Sequence, residues 1–470
     1  MAFTAKIADV IAADKTGLLA KHPSWQRVTL SDVARILNGA PFDASLFNTT
    51  SGMPLARIRD VLTGETSTYY TGEYEDAYLL ERGDLLIGMD GDFNTGYWGE
   101  QRALLNQRVC KLAINSDFYD TKLLGLVLPG YLAAINANTP SITVKHLSSK
   151  TVGQIELPLP PRAEQTRIVE KLEELLGGLD AAVAELKTAQ RKLASLRQSL
   201  LKSAVEGALT APWRTAHAPT ESGAQLLRRI LAERRARWEA RQRAKFAQAG
   251  KAPPKGWQAK YPEPVAPETR DLEALPQGWV WATIDQLAQV GTGVTPLRSK
   301  RVYFDGGSIP WTTSGALNDG LVTSAAEHVT QLALDECRLE IFPAGSLLVA
   351  MYGEGKTRGK CAELAFPSTI NQAIAALVFE ETAAAVRSHV KTALLDAYEA
   401  MRKQASGGVQ PNLNLQIVKA RCVPLPSLEE QAEIAEQLTT ALAAIQDQEA
   451  AVAHGLHQAA AQRRNILKAA

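Results

Sequence analysis

The chain reads Leu157-Pro158-Leu159-Pro160 followed by Glu164-Gln165, and further on it reads Val423-Pro424-Leu425-Pro426 followed by Glu430-Gln431. The offset between the two copies is 266 residues, from Pro158 to Pro424. It holds to the far end, where Leu196-Arg197 and Leu200-Leu201-Lys202 match Gln462-Arg463 and Ile466-Leu467-Lys468. An internal repeat of so long a period indicates a duplicated domain and not a solenoid unit. The protein is therefore expected to present two similar surfaces.

Each copy opens a long helix with a seam of apolar residues. From Ile168 onward these residues alternate in steps of four and three, which is the heptad pattern of a coiled coil. The predicted pairing residues are Ile168, Leu172, Leu175, Leu179, Leu186, Leu193 and Leu200 in the first copy, and Ile434, Leu438, Ile445, Val452 and Ile466 in the second. We expect the two copies to pair with each other, because both are present at high effective concentration. A homodimeric coiled coil is the alternative.

Chain direction makes this pair antiparallel, since one helix leads away from the first globular part and the other returns. At 1.5 Å per residue each helix is a rod of roughly 60 Å. The predicted fold class is α+β, with two mixed α/β domains separated by an antiparallel helix pair and related by a pseudo-two-fold axis. The predicted segments are residues 1–157 (first domain), 158–210 (first helix), 211–274 (basic helix and Pro-rich linker), 275–423 (second domain) and 424–470 (second helix).

The globular parts repeat each other more faintly. Trp25, Leu30, Val33, Ala34, Ile36 and Gly39 match Trp279, Ile284, Leu287, Ala288, Val290 and Gly293. The apolar runs Leu85-Leu86-Ile87 and Leu347-Leu348-Val349 also match, as do Asn106-Gln107 and Asn371-Gln372. Short apolar runs between glycine-rich loops predict buried strands. Related scaffolds with different loops suit two related targets.

Composition narrows the class of protein. The 470 residues carry 51 basic and 50 acidic side chains, so no global charge attracts nucleic acid or membrane. The four cysteines are scattered without the spacing of a zinc site or a disulfide framework. We predict no metal site, since the pair His454 and His457 lacks a third ligand. No apolar run is long enough for a membrane span, and the first twenty residues are too polar for a signal peptide, so a cytoplasmic location is expected.

A separate basic helix is predicted over Glu221–Gln248. Its cations are Arg228, Arg229, Arg234, Arg235, Arg237, Arg241, Arg243 and Lys245. Such a face fits phosphate contact, and it fits equally a solvated surface or a docking surface for a partner protein.

The sequence contains no complete motif of the two catalytic classes considered, nucleotide hydrolysis and adenine methylation. Gly353-Glu354-Gly355-Lys356-Thr357 resembles the tail of a P-loop, but Ala350 stands where the motif needs its first glycine. The Asn/Asp-Pro-Pro-aromatic loop of adenine methyltransferases does not occur in the sequence. We therefore predict a binding protein without catalytic residues of its own.

The repeated Pro-Leu-Pro, Glu-Gln and Ile pattern, with Gly278-Trp279-Val280-Trp281 and Gln410-Pro411-Asn412-Leu413-Asn414, resembles the specificity subunit of type I restriction-modification systems. The resemblance covers almost the whole chain. It implies two target recognition domains that each read one half of a split double-stranded DNA sequence. It also implies two modification (methyltransferase) subunits that bring S-adenosylmethionine, and restriction subunits that bring ATP-driven translocation and Mg²⁺-dependent cleavage. The second helix stops at Ala470, before a counterpart of Val205–Leu209, which predicts a shortened C-terminus.

Candidate DNA contacts follow from the side chains that read bases and bind phosphates. In the second domain they are Arg298, Lys300, Arg301, Lys356, Arg358 and Lys360. In the first domain they are Asn94, Tyr97, Trp98, Gln101 and Arg102. A rival interpretation is a two-headed protein-interaction scaffold, built on the coiled coil, that does not read DNA.

Overall fold

The computed structural model describes residues 3–99, 102–139, 145–353, 357–406 and 413–469. The chain forms two compact units, one made of Met1–Thr188 with Val452–Ala470 and the other of Ala189–Ala451. Each unit therefore contains one globular domain and a part of both long helices. No helix within the described ranges is long and apolar enough to cross a membrane.

The first unit contains a mixed α/β domain. Its strands are β1 (Gln26–Thr29), β2 (Ala34–Asn38), β3 (Phe47–Asn48), β4 (Met53–Ala56), β5 (Tyr69–Tyr70), β6 (Leu79–Leu80), β7 (Leu85–Gly88), β8 (Thr95–Tyr97), β9 (Ala103–Leu105), β10 (Val109–Ile114) and β11 (Glu156–Leu159). Its helices are α1 (Ile7–Ala13), α2 (Leu30–Val33), α3 (Thr121–Ala137), α4 (Ser149–Gly153) and the beginning of α5 (Arg162–Val205). One sheet has the order β2-β10-β7-β8 and another the order β3-β5-β4-β9-β6.

Strand β7 separates two apolar cores, as the alternation of side chains along a strand requires. Leu85 and Ile87 pack in the core that includes α1 and α3. Leu86 points the other way and packs with Trp98 and Leu105. All four residues of β7 are buried, which confirms the buried strand predicted from the Leu-Leu-Ile run.

The second unit repeats this plan. Its strands are β12 (Val280–Thr283), β13 (Gln289–Thr292), β14 (Ile309–Thr312), β15 (Leu321–Val322), β16 (Glu327–Val329), β17 (Leu347–Ala350), β18 (Cys361–Leu364), β19 (Thr369–Ile370), β20 (Ile374–Val378) and β21 (Cys422–Leu425). Its helices are α6 (Ala211–Ala216), α7 (Gly223–Gln248), α8 (Ile284–Leu287), α9 (Gln331–Glu336), α10 (Glu381–Ala384), α11 (Arg387–Asp396), α12 (Tyr398–Ser406), α13 (Leu415–Ala420) and the beginning of α14 (Leu428–Ala469). The sheets run β13-β20-β17-β18-β15 and β16-β14-β19, and β17 is again buried throughout.

A two-stranded antiparallel ladder closes each domain. Strand β1 pairs with β11, where Val28 lies opposite Leu157, and β12 pairs with β21, where Ala282 lies opposite Val423. The repeated Pro-Leu-Pro stretch therefore forms the last strand of each domain. A proline is tolerated there because a strand with a single neighbour leaves one edge without ladder bonds.

The repeated Glu-Gln pair fastens each domain to its long helix. Trp25 Nε1 donates to Glu164 Oε2 at 3.1 Å, and Trp279 Nε1 donates to Glu430 Oε2 at 2.8 Å. The glutamine amides also donate back to the proline before the helix, from Gln165 to Pro160 O at 2.9 Å and from Gln431 to Pro426 O at 3.0 Å. The duplicated sequence thus encodes a duplicated junction.

Helices α5 and α14 pack antiparallel in each unit. In the first unit Arg463 Nη1 lies 2.5 Å from Asp180 Oδ1, and a Cβ added at Gly455 would lie 3.2 Å from Leu186 Cδ1. In the second unit Arg197 Nη2 lies 3.2 Å from Glu449 Oε2. There Ala204 and Leu200 also pack with Ile434 and Leu438. The predicted intramolecular antiparallel pair, and with it the α+β fold class, is confirmed.

Burial along α5 is not confined to the predicted pairing residues. Leu172 and Leu193 are buried as expected, but Leu175 is 40% exposed. Its neighbour Leu176 is 7% exposed, and Val169 is 5% exposed. In α14 the predicted Ile434, Leu438 and Ile445 are all buried. Val169 belongs to the core of the first domain, whereas the predicted Leu175 and Leu179 line a groove together with Asn465 and Ile466 of α14.

The basic face of α7 makes its contacts inside the second unit. Arg237 donates to Glu380 Oε2 at 3.0 Å and to Glu381 Oε2 at 2.8 Å, and Arg241 donates to Glu380 Oε1 at 3.1 Å. On the apolar face, Leu226 and Ile230 are in the domain core. The sequence predicted the helix correctly. Arg237 and Arg241, however, form ion pairs with carboxylates of the chain itself.

Candidate functional site

A cationic and aromatic cluster lies beside β14 in the second domain. The Arg298 guanidinium carbon lies 4.8 Å from the centre of the Trp311 ring and 5.2 Å from the centre of the Phe304 ring. Arg298 Nη2 also donates to Glu327 Oε1 at 3.0 Å. The arginine side chain remains 56% exposed. Nη1 donates to the other oxygen of Glu327, so two rings and a bidentate carboxylate together hold the guanidinium in one orientation.

Lys300 lies two residues further along the same loop. Its Nζ donates to Glu336 Oε2 at 2.8 Å and to the Tyr303 hydroxyl at 2.6 Å. These hydrogen bonds, the one to Glu336 first, raise the pKa of Lys300, and the bond from Lys300 lowers the pKa of Glu336. Arg301 is exposed at the start of the following turn. The structure therefore brings the three predicted cations Arg298, Lys300 and Arg301 together.

The loop between β17 and β18 carries the other predicted cations. Arg358 is half-buried, and its Nε is buried without a hydrogen-bond partner among the described residues. Lys360 Nζ donates to Asn318 Oδ1 at 2.6 Å. Gly359 packs closely against Tyr398 and Met401 of α12, and its positive φ of 81° suits glycine. Lys356 lies outside the described residues, as does most of the Gly-Glu-Gly-Lys-Thr stretch.

The predicted residues of the first domain do not form one cluster. Tyr97 donates through its hydroxyl to Thr121 O at 2.8 Å, and burial, followed by Asp120 and Glu173, raises its pKa to about 12. Arg102 Nε pairs with Glu81 Oε1 at 2.7 Å on the surface. Asn94 is half-buried in the turn before β8. Gln101 lies outside the described residues.

The prediction that Trp98 contacts DNA is wrong, because its side chain is not on the surface. Its side chain is 1% exposed and packs with Leu86 and Leu105. It directly follows the last residue of β8, Tyr97, which is 40% exposed. Trp98 is a core residue, and it offers no surface to DNA.

The sequence interpretation missed a polar group at the end of β7. His146 Nδ1 lies 2.6 Å from Asp90 Oδ1, and Arg108 Nε lies 3.5 Å from Asp90 Oδ2. The Arg108 side chain is 54% exposed, and its backbone has a positive φ of 71°. A signal was present, because Arg108 directly follows the repeated Asn106-Gln107 pair. Val109 N donates to Asn106 O at 3.2 Å, so Arg108 lies within the tight turn that begins at Asn106.

These surfaces are suited to binding. They present guanidinium, ammonium and amide donors beside aromatic rings, which are the groups that read base edges and hold phosphates. Within the described ranges no three His, Cys, Asp or Glu side chains are grouped to hold a metal ion.

Comparisons with known proteins match both halves of the chain. The model of the type I restriction modification DNA specificity domain matches residues 23–187 and again residues 276–452. Each match begins near the first strand of a domain and extends far into the following long helix. The chain is 49% identical over 211 residues to the type I restriction enzyme EcoBI specificity subunit of Escherichia coli, a match that covers 45% of this chain and 44% of that protein.

More distant relatives agree. The type I restriction enzyme MjaIX specificity subunit of Methanocaldococcus jannaschii is 27% identical over 188 residues, covering 39% of this chain and 41% of that protein. The chain thus spans less than half the length of the curated relatives named here. A solved structure on complex assembly and conformational transition of the type I R-M system contains a chain of the same fold, with a TM-score of 0.61, 17% identity, and coverage of 95% of this chain and 97% of that one. Because the family model matches most of the sequence and matches it twice, this chain belongs to the type I restriction modification DNA specificity domain family.

Proposed function

We propose that this chain is the DNA-binding specificity subunit of a type I restriction-modification complex, in which each domain reads one half of a bipartite DNA site. The observation that carries the proposal is the pair of family matches, each covering one recognition domain and much of its long helix. The cationic and aromatic cluster at Arg298 supports it, since stacked guanidinium groups are suited to base and phosphate contact.

Methylation and cleavage belong to partner subunits in this proposal. Two modification subunits bring S-adenosylmethionine and methylate adenine, and restriction subunits bring ATP and Mg²⁺. The residues of this chain bind and orient the DNA, and no chemical step is assigned to them. The chain is proposed to act in the cytoplasm, together with the DNA and these subunits.

The experiment that tests the function is to produce the chain together with its modification subunit and to map methylated adenines in the host DNA. We expect a single split motif, with one adenine position in each half and a spacer of constant length. Deleting the gene for this chain should abolish that motif. Methylation without a split motif, or a complex with equal affinity for all DNA sequences, would support the protein-interaction scaffold instead.

The substitution Arg358→Ala is expected to weaken binding at one half-site only. The loss should be about tenfold, because one lost guanidinium contact to a base or phosphate costs roughly 1–3 kcal/mol. Arg298→Ala should affect the same half-site, since both residues belong to the second domain. The measurement is fluorescence anisotropy of labelled DNA with the chain and its modification subunit, using duplexes mutated in one half-site at a time.

The matched control for Arg298 is Glu327→Gln, which removes its carboxylate partner and leaves the guanidinium in place. This variant should bind at least as tightly as the unmodified chain. Equal weakening at both half-sites by either arginine substitution would contradict the assignment of these loops to one half of the motif.

The modification subunits are expected to contact exposed apolar side chains of α5. Leu175 is 40% exposed and Leu196 is 53% exposed, although both lie on the heptad-bearing helix α5. We expect Leu196→Glu to reduce recovery of the modification subunit severalfold when tagged chain is purified, because a carboxylate disfavours an apolar interface. The melting temperature of the chain alone should change little, since this side chain is already in solvent. Unchanged recovery of the modification subunit with Leu196→Glu would exclude Leu196 from the docking surface.

A further inference from the structure

The junction of the second domain with its long helix is covered by the segment that follows α5. Leu209 packs against the cluster of Trp279, Ile434 and Leu438. Thr210 Oγ1 donates to Glu430 Oε1 at 2.7 Å, and Arg214 Nη1 donates to the same oxygen. The Arg214 guanidinium also lies 5.6 Å from the centre of the Trp279 ring. Leu209, Thr210 and Arg214 thus cover the hydrogen-bonded pair of Trp279 and Glu430.

The junction of the first domain has the same tryptophan–glutamate pair beneath an open groove. The groove has a volume of about 1220 Å³, and Trp25, Glu164, Ile168, Leu172, Leu175 and Ile466 are among its lining residues. Ile168 and Leu172 are the counterparts of Ile434 and Leu438 in the repeat. Glu164 bonds to Trp25 through Oε2, and the described residues place no donor on its Oε1.

The two junctions differ in how deeply their tryptophan and glutamate side chains are buried. The Glu430 side chain is 2% exposed and Trp279 is 8% exposed, whereas Glu164 and Trp25 are only half-buried. Charged side chains such as Lys21, Arg167, Glu170 and Lys171 line part of the groove. Its floor offers the half-buried Ile168, the Glu164 Oε1 atom and the half-buried Trp25 ring, which lies beside His22. These are the features that Leu209, Thr210 and Arg214 use in the second domain.

We propose that the Trp25–Glu164 groove is a docking site for a segment of a partner polypeptide that carries a leucine, an adjacent hydroxyl residue and an arginine four residues after the hydroxyl. The leucine packs on the half-buried Ile168, as Leu209 packs with Ile434. The hydroxyl and the guanidinium donate to Glu164 Oε1, and the guanidinium covers the Trp25 ring. The partner thereby supplies to the first domain what residues 209–214 supply to the second.

The test uses a fluorescein-labelled peptide with the sequence of residues 205–216 and the full chain. We expect saturable binding by anisotropy, at least about tenfold weaker binding to the Glu164→Gln chain, and a similar loss for a peptide with Arg214→Ala, since a charge-assisted hydrogen bond is lost in each case. Glutamine keeps an acceptor for Trp25 Nε1, so the junction itself is preserved. The matched control is Glu170→Gln, a residue of the same groove that should leave binding unchanged.

Three results would overturn the proposal. The first is no binding by the peptide at millimolar concentration. The second is binding that Glu164→Gln and Glu170→Gln weaken equally, which indicates general charge attraction. The third involves a chain in which residues 205–216 are joined after Ala470. If this extension raises the melting temperature while the free peptide does not bind, the groove accepts a continuous segment of the chain and not a partner.

Discussion

Inserting seven residues into α5 after Leu186 and seven into α14 before Gly455 is expected to lengthen the spacer of the DNA motif and leave both half-sites unchanged. These residues contact each other across the helix pair, so paired insertions keep the seam in register. Seven residues add roughly 10 Å to each helix. Since DNA rises about 3.4 Å per base pair, the spacer should grow by at most about three base pairs. The measurement is the map of methylated adenines in cells that carry only the altered chain.

The control places the same seven residues in the segment after α7, at Gly250, where they do not extend either long helix. This control should methylate the original motif. If the paired insertions leave methylation efficient and the spacer unchanged, the helices do not set the distance between half-sites.

The substitution Glu430→Ala is expected to destabilise the second domain by about 3 kcal/mol, since breaking a buried ion pair leaves the other charge without a partner. Glu430 accepts hydrogen bonds from Trp279, Thr210 and Arg214, and its side chain is 2% exposed. Its removal leaves the Arg214 guanidinium, which is 19% exposed, without its carboxylate. The measurement is amide hydrogen exchange at β12 and β21, where faster exchange reports the loss of stability of that domain alone.

The repeat supplies the matched control, because Glu164→Ala removes the equivalent residue from the first domain. Glu164 has only the Trp25 bond among the described contacts, so the loss should be about 1 kcal/mol and should appear at β1 and β11. If the two substitutions have equal effects, the segment carrying Thr210 and Arg214 adds nothing to the stability of the second junction.

Much of the architecture followed from the duplicated sequence. The repeated Pro-Leu-Pro stretch marked the ends of both domains, and the heptad steps predicted two long helices that pair within the chain. The buried strands β7 and β17 followed from their apolar runs. The candidate site was less predictable. The loops bearing Arg298 and Lys300 were identified from charge. Trp98 was assigned to a surface because it stands in the stretch equivalent to the loop of Arg358 and Lys360, but it lies in a core.

The amino-acid sequence by itself was sufficient to recognise the duplication, the antiparallel direction of the two long helices and the protein family, because these depend on period and spacing along the chain. Only the tertiary structure decided which apolar side chains of the long helices are buried and which carboxylate each arginine pairs with. Leu175 was predicted to be a pairing residue and is 40% exposed, whereas its neighbour Leu176 is 7% exposed. Arg237 is bound by Glu380 and Arg298 by Glu327, and both carboxylates are far away in sequence. An ion pair requires approach within a few ångströms, and that distance is a property of the fold and not of the sequence interval.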